Sequence, residues 1–211
     1  MNTLELRSVA VRGAGGNLLF RPVTLTVAAG AVTTIMGASG VGKSTLINFI
    51  GGHLPADFEA EGQVVLNGHD VTRLPAEARR IGILFQDALL FPHLSVGDNL
   101  AFGLAAHVCG RVARRAAVAA ALDQAGLAGF ADRDPATLSG GQRARVALMR
   151  TLLAEPLALL LDEPFARLDP DRRADLRAFV FGHVRDRGVP VLMVSHDPDD
   201  ARAAGGPVVT L

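Results

Sequence analysis

A mostly parallel α/β sheet with helices on both faces, interrupted by an inserted helical segment, is the fold class this sequence predicts. Three observations carry it. Ala31 to Met36 is an apolar, β-branched run that leads through a glycine-rich loop into an apolar-periodic helix. Strand–helix alternation returns from Leu157 to the end of the chain, the pattern of a parallel sheet. Between them, about 88 to 150, the periodicity turns helical and Ala/Leu-rich.

In chain order, residues 3–11 and 23–27 alternate apolar and polar and read as strands with one covered face, with Gly13, Gly15 and Gly16 in the loop between them. Gln63–Leu66 is a short strand closed by the hairpin-type pair Asn67-Gly68. Ile81–Phe85 is a compact apolar run, expected to be fully buried. Residues 95–105, 111–125 and 139–153 have helical spacing. Arg111, Arg114 and Arg115 sit where the helix dipole disfavours cations, and read as a solvated face. Leu157–Leu161, Val191–Val194 and Val208–Leu211 are strands, and 170–185 and 197–204 helices.

At 211 residues the chain is expected to be a single domain, 1–211, containing the helical subdomain at about 88–150. Hydrophobic content of 49% supports a sizeable core. A net charge of +0 offers no nucleic-acid footprint. One cysteine, Cys109, forms no internal disulfide and suits a reducing compartment. The N-terminus lacks a signal core, and no apolar run approaches the ~18 residues of a membrane span. The chain reads as soluble and able to dock on a membrane protein.

The loop Gly37-Ala38-Ser39-Gly40-Val41-Gly42-Lys43-Ser44 fits G-x-x-x-x-G-K-[ST] in the strand-to-helix context that motif requires. Its glycines let backbone N–H groups converge on an anion, and the new helix, entered through Ser44 and Thr45, adds its positive end. Lys43 is placed to reach the β- and γ-phosphates and Ser44 to ligate Mg²⁺. Lys+Arg is 21, and Lys43 is the only lysine. The single compact ammonium stands where it suits phosphate better than arginine's planar fork. A glycine turn with a chance GKS is the bland alternative.

Four further segments carry chemistry. Leu157–Leu161 ends in Asp162, placed to hold the Mg²⁺ shell, and Glu163, placed to polarise an attacking water. Alone, a buried strand ending in surface acids would read equally well. Ser139-Gly140-Gly141-Gln142 opens a helix with a good N-cap and approachable N–H groups, a second anion site or simply a capped helix start. One nucleotide rarely needs two such sites in one fold, which suggests a clamp supplied by a partner subunit. His196 follows an apolar strand at the sheet's carboxyl end and is assigned a γ-phosphate contact over a merely structural role. Gln86 stands in the same kind of position, with an amide able to touch Mg²⁺ or water. The other five histidines lack metal-ligand spacing.

GASGVGKS, Gln86, LSGGQ, LALLLDE, Leu168-Asp169 and His196, in that order, resemble the ATP-binding cassette (ABC) family of transport ATPases over nearly the whole chain. The resemblance implies a RecA-like P-loop core with an inserted helical subdomain and an N-terminal antiparallel β subdomain. It implies ATP and Mg²⁺ as cofactors, with Lys43, Glu163 and His196 catalytic and Ser44, Gln86 and Asp162 at the metal. It further implies a head-to-tail homodimer, in which each ATP lies between the phosphate loop of one chain and Ser139–Gln142 of the other, with Asp169 at the crossing. Its partner would be a transmembrane permease at the cytoplasmic face of the bacterial inner membrane, with room for an extracytoplasmic solute-binding protein and none for nucleic acid. DPATLSGGQ and IGILFQDALLFPHLSV resemble importers, and within them short cassettes of the thiamine-importer type. Few residues follow His196, so the regulatory domain of sugar-type importers is not expected.

Two segments depart from the family pattern. The family stacks adenine on an aromatic residue upstream of the Walker lysine; this chain has no Tyr and no Trp and offers Arg12 there. Arg167 stands where the segment before Asp169 commonly has a small residue. The rival functions are a soluble ABC factor, a cassette with dead chemistry and a P-loop kinase. They are opposed respectively by the absence of a second cassette, by intact Glu163 and His196, and by LSGGQ.

Overall fold

A computed structural model describes residues 2–166 and 168–211, apart from the side chain of Asp171. Arg167 therefore lies outside the described residues. The chain divides into two compact units: Met1–Ile83 with Leu157–Glu163 and Phe181–Leu211, and Leu84–Pro156 with Pro164–Val180.

The first unit holds two sheets. β1 (Leu4–Arg12), β2 (Val23–Val27), β4 (Glu59–Leu66) and β5 (His69–Asp70) form an antiparallel sheet in the order β2-β1-β4-β5. Alternation in β1 sends Leu4 and Leu6 into the core, and a bulge at Ser8 (φ 49°) resets the register so that Val9 and Val11 follow them. β4 starts earlier than its apolar stretch suggests. Glu59 and Glu61, which flank half-buried Ala60, pair with β1 through backbone bonds that need no buried side chain. Asn67 (φ 54°) and Gly68 (φ 80°) make the two-residue turn joining β4 to β5, both left-handed as a type I′ hairpin requires.

The second sheet runs β6 (Ile81–Leu84), β7 (Ala158–Asp162), β8 (Val191–Val194), β3 (Val32–Met36), β9 (Val208–Thr210). β3 pairs parallel with β8 and β9, and β7 parallel with β8. Central β8, and β7 up to its terminal Asp162, are apolar because both faces are covered. β6 departs from its expected full burial: it is an edge strand, and Ile81, Gly82 and Ile83 are only half-buried. The core joins Ile35, Leu160, Leu192 and Val194 to Leu46, Ile47 and Ile50 of α1 (Lys43–Gly51).

Arg79, at the end of α2 (Ala76–Arg79), is buried in this unit. Its guanidinium donates to the carbonyls of Phe49 (2.7 Å) and Ile50 (2.9 Å) in the last turn of α1, and to those of Leu74 (2.8 Å) and Thr72 (2.5 Å). A cation at a helix C-terminus meets the negative end of the dipole and satisfies carbonyls that the helix cannot. Arg79→Met would leave those carbonyls buried and unpaired. The expected cost is about 3 kcal/mol, seen as a lower urea midpoint at unchanged slope; an unchanged midpoint would contradict it.

The second unit is helical: α3 (Val96–Phe102), α4 (Arg111–Gln124), α5 (Gly140–Leu153) and the first part of α6 (Pro170–Arg187). α3 is shorter than expected, ending at Gly103. Buried Asn99 ties the preceding loop, accepting from Phe91 N–H (2.8 Å) and donating to the carbonyls of Phe91, Leu94 and Ser95. The arginines of α4 are not uniformly solvated. Arg111 and Arg115 are exposed, but Arg114 is half-buried and donates to Ala101 O at 2.8 Å, covering the C-terminus of α3. That neighbouring carbonyl outweighs the unfavourable end of Arg114's own helix. α7 (Pro198–Ala204) returns to the first unit.

Candidate functional site

Three neighbouring parallel strands bring the first unit's functional residues together. Ile35 of β3 and Asp162 of β7 both register with Val194 of β8. The loop after β3, the acids ending β7 and the histidine after β8 therefore emerge at one edge, the carboxyl ends where nucleotides bind in such sheets.

Residues Gly37 to Gly42 form the loop, with Gly40 (φ 82°) and Gly42 (φ 106°) left-handed. A side chain at Gly42 would be strained and would meet the Phe20 ring at 3.0 Å. α1 then begins at Lys43 with no side-chain cap and no acid in its first turn, so its leading N–H groups are available to an anion. Lys43 is 7% exposed, and its Nζ donates to the carbonyls of Gly37 (2.8 Å) and Ala38 (3.1 Å). Ser44 Oγ donates to Asp162 Oδ1 at 3.0 Å. Ser44 is exposed and Thr45 half-buried beside it.

Glu163 is the hub. Oε1 lies 3.7 Å from Lys43 Nζ, and Oε2 lies 2.8 Å from His196 Nδ1, which donates to it when protonated. Its backbone is left-handed (φ 48°), with its N–H bonded to Val194 O at 3.0 Å. A non-glycine residue held there costs about 1–3 kcal/mol and is found where function fixes geometry. Beside it, burial raises the pKa of Asp162; the Ser44 hydrogen bond opposes this, the Glu163 charge adds to it and Lys43 opposes it. A carboxylate so placed is poised to gain from a cation.

The residues fit a nucleotide and a hard divalent cation. An uncapped helix end and two left-handed glycines make a phosphate cradle, and the Ser44 hydroxyl and Asp162 carboxylate are oxygen donors of the kind Mg²⁺ takes. Arg12 also lies in the first unit, with its guanidinium engaged: it pairs with Glu61 (3.6 Å) and donates to Gly16 O (3.3 Å). Phe20, the aromatic residue beside the loop, is 5% exposed and has no free face for a base.

The remaining predicted residues belong to the second unit. Ser139 caps α5, accepting from Gln142 N–H (3.3 Å), while Gln142 Oε1 accepts from Ser139 N–H (2.9 Å). This is a full capping box. Gln142 is thus spent on the helix start, and Gly140 and Gly141 present bare backbone. Gln86 is exposed and, with Gly140, Arg143, Pro164 and Leu168, lines a cavity of about 250 Å³. Asp169 precedes α6, accepting from Arg172 N–H at 3.1 Å and pairing with its guanidinium at 3.3 Å. The sequence points to His196 but not to the buried Ser195–Asp200 pair, joined at 2.6 Å, whose serine precedes it in the chain. The one signal was an apolar strand that ends in serine.

Comparison with known proteins agrees with this geometry. The ABC transporter family profile matches residues 20–166. The uncharacterized ABC transporter ATP-binding protein YnjD of Escherichia coli K12 is 50% identical over 200 residues, 95% of this chain and 91% of that protein. The thiamine import ATP-binding protein ThiQ of Rhizobium meliloti is 42% identical, covering 98% of this chain and 87% of its own. Among solved structures, the ATP-binding cassette MJ0796, a dimer in a post-hydrolysis state with ADP and Pi, superposes with a TM-score of 0.81 at 30% identity, covering 99% of this chain and 94% of that one. Family profile, relatives and fold converge on the same assignment: this chain belongs to the ABC transporter family, as an ATP-binding cassette subunit of the ThiQ and YnjD kind.

Proposed function

We propose that this subunit hydrolyses ATP with Mg²⁺ in a head-to-tail homodimer and energises solute import through a separate permease at the cytoplasmic face of the inner membrane, in a system with an extracytoplasmic solute-binding protein. The observation that carries the chemistry is Glu163, held between His196 and Lys43 at the carboxyl edge of the sheet. Lys43 exchanges its Gly37 and Ala38 carbonyls for phosphate oxygens, and the loop N–H groups from Gly37 to Thr45 cradle the same phosphates. Ser44 and Asp162 would hold Mg²⁺, and the Gln86 amide is assigned to it as a further oxygen donor. When bound, Mg²⁺ neutralises charge on the β- and γ-phosphate oxygens. Glu163 takes the proton of the attacking water, and His196 fixes Glu163 and contacts the γ-phosphate. Ser139, Gly140 and Gly141 of the opposite subunit close over that phosphate, Gln142 holds the helix start that presents them, and Asp169 lies at the crossing. Arg12 flanks the base, and its existing partners favour weak selection between ATP and GTP.

Transport is supported by the second unit's surface. Leu89 is 59% and Phe102 68% exposed, and Phe102 borders a cavity of about 420 Å³ with Phe91, Leu104 and Arg150. Contiguous exposed apolar side chains mark interaction sites. Among the described residues no helix is long and apolar enough to cross a membrane; the attachment proposed is docking of this surface on the permease. Cell fractionation tests this. The chain should sediment with membranes, and Phe102→Asp should move it to the supernatant with its purified ATPase activity retained. A parent chain wholly in the supernatant would contradict the transport reading and favour a soluble ABC factor.

A further inference from the structure

His196 has little of its own to hold it. Its side chain is 64% exposed, and the contact with Glu163 is made from that exposed position. The turn beneath is built differently. Ser195 is fully buried and Asp200 is 3% exposed. Ser195 N–H donates to Ile35 O of β3 at 3.1 Å. Its hydroxyl donates to Asp200 Oδ2 at 2.6 Å and accepts from Asp197 N–H at 3.0 Å. One oxygen therefore ties down the residues immediately before and after His196, and Asp200 anchors that oxygen to α7.

Capping does not explain Asp200. Asp197 already caps α7, accepting from Asp199 N–H at 2.8 Å. A carboxyl group taken out of water is costly unless it is hydrogen-bonded. The 2.6 Å bond has the length of a hydroxyl–carboxylate bond, the strong kind. An acid buried at that cost, and bonded to the serine on which the histidine turn rests, is placed to set geometry.

We propose that Ser195 and Asp200 are positioning residues that fix where His196 presents its imidazole, and that they act on turnover through His196. The proposal deepens the functional reading above and rests on its assignment of His196. It is tested by a double-mutant cycle on the full chain, Ser195→Ala against His196→Ala, reading kcat for ATP and the affinity for a fluorescent ATP analogue. Ser195→Ala should lower kcat by about 10²-fold, the usual penalty of a displaced catalytic group, with affinity close to the parent's. In the His196→Ala background it should cost nothing further, because the group it positions is gone. Ser195→Thr, which keeps the hydroxyl, should restore most of kcat. If Ser195→Ala does not fold, Asp200→Asn, which keeps the shape and an acceptor, carries the same cycle with a smaller loss that again vanishes without His196. Equal losses in both backgrounds, or parental kcat in the single variant, would overturn the proposal. Parental kcat in His196→Ala alone locates the failure in the assignment of His196, and the proposal falls with it.

Discussion

Glu163→Gln is expected to slow ATP turnover by about 10²- to 10⁴-fold, the worth of a positioned general base, while leaving ATP affinity intact or improved. The substitution keeps the shape and an acceptor for His196 Nδ1, so the 2.8 Å contact has no reason to break. It removes the carboxylate's ability to take a proton and its repulsion of the γ-phosphate. Glu163 also faces Lys43 at 3.7 Å; losing that attraction frees the ammonium for phosphate. The check is kcat against nucleotide affinity. Parental turnover in Glu163→Gln would remove this residue from the chemistry.

Lys43→Ala should instead abolish binding and hydrolysis together. Lys43 is buried and donates two short hydrogen bonds to its own loop, so it is already aimed at the cradle. Two charge-assisted bonds to phosphate are worth about 1.5–3 kcal/mol each, so ATP affinity should fall by 10²-fold or more. Lys43→Arg should rescue little, because a planar guanidinium does not fit a space closed by the Gly37 and Ala38 carbonyls. Titration with a fluorescent ATP analogue reads both variants. Near-parental affinity in Lys43→Ala would contradict the phosphate assignment.

What the sequence disclosed and what it hid have a physical division. The phosphate loop, the acids after β7 and the capped start of α5 are local: each needs particular residues at adjacent positions, and those are legible in a single stretch. The strand–helix alternation was legible for the same reason, since periodicity reports the covered face of each element. What stayed hidden depends on partners distant in the chain. Arg79 meets carbonyls of α1 some 30 residues upstream, and nothing in AEAR announces that. Arg114 follows the charge pattern of a solvated helix, yet its guanidinium reaches Ala101 O. β6 is as apolar as a central strand but stands at the sheet edge, a fact of topology rather than composition. Ser195 and Asp200 look like any polar residues of a turn until burial makes their bond consequential.

In the proposed mechanism ATP is hydrolysed between two copies of this chain, with Ser139 to Gly141 of one completing the site of the other. The mass of Glu163→Gln by light scattering after size exclusion tests it most directly. With ATP and Mg²⁺ the protein should run at twice the monomer mass. It should return to the monomer with ADP, which lacks the bridging phosphate, and with Ser139→Arg added, which sets a bulky side chain where the opposite γ-phosphate must sit. A Glu163→Gln protein that turns over slowly, binds ATP and stays monomeric would contradict the two-subunit site.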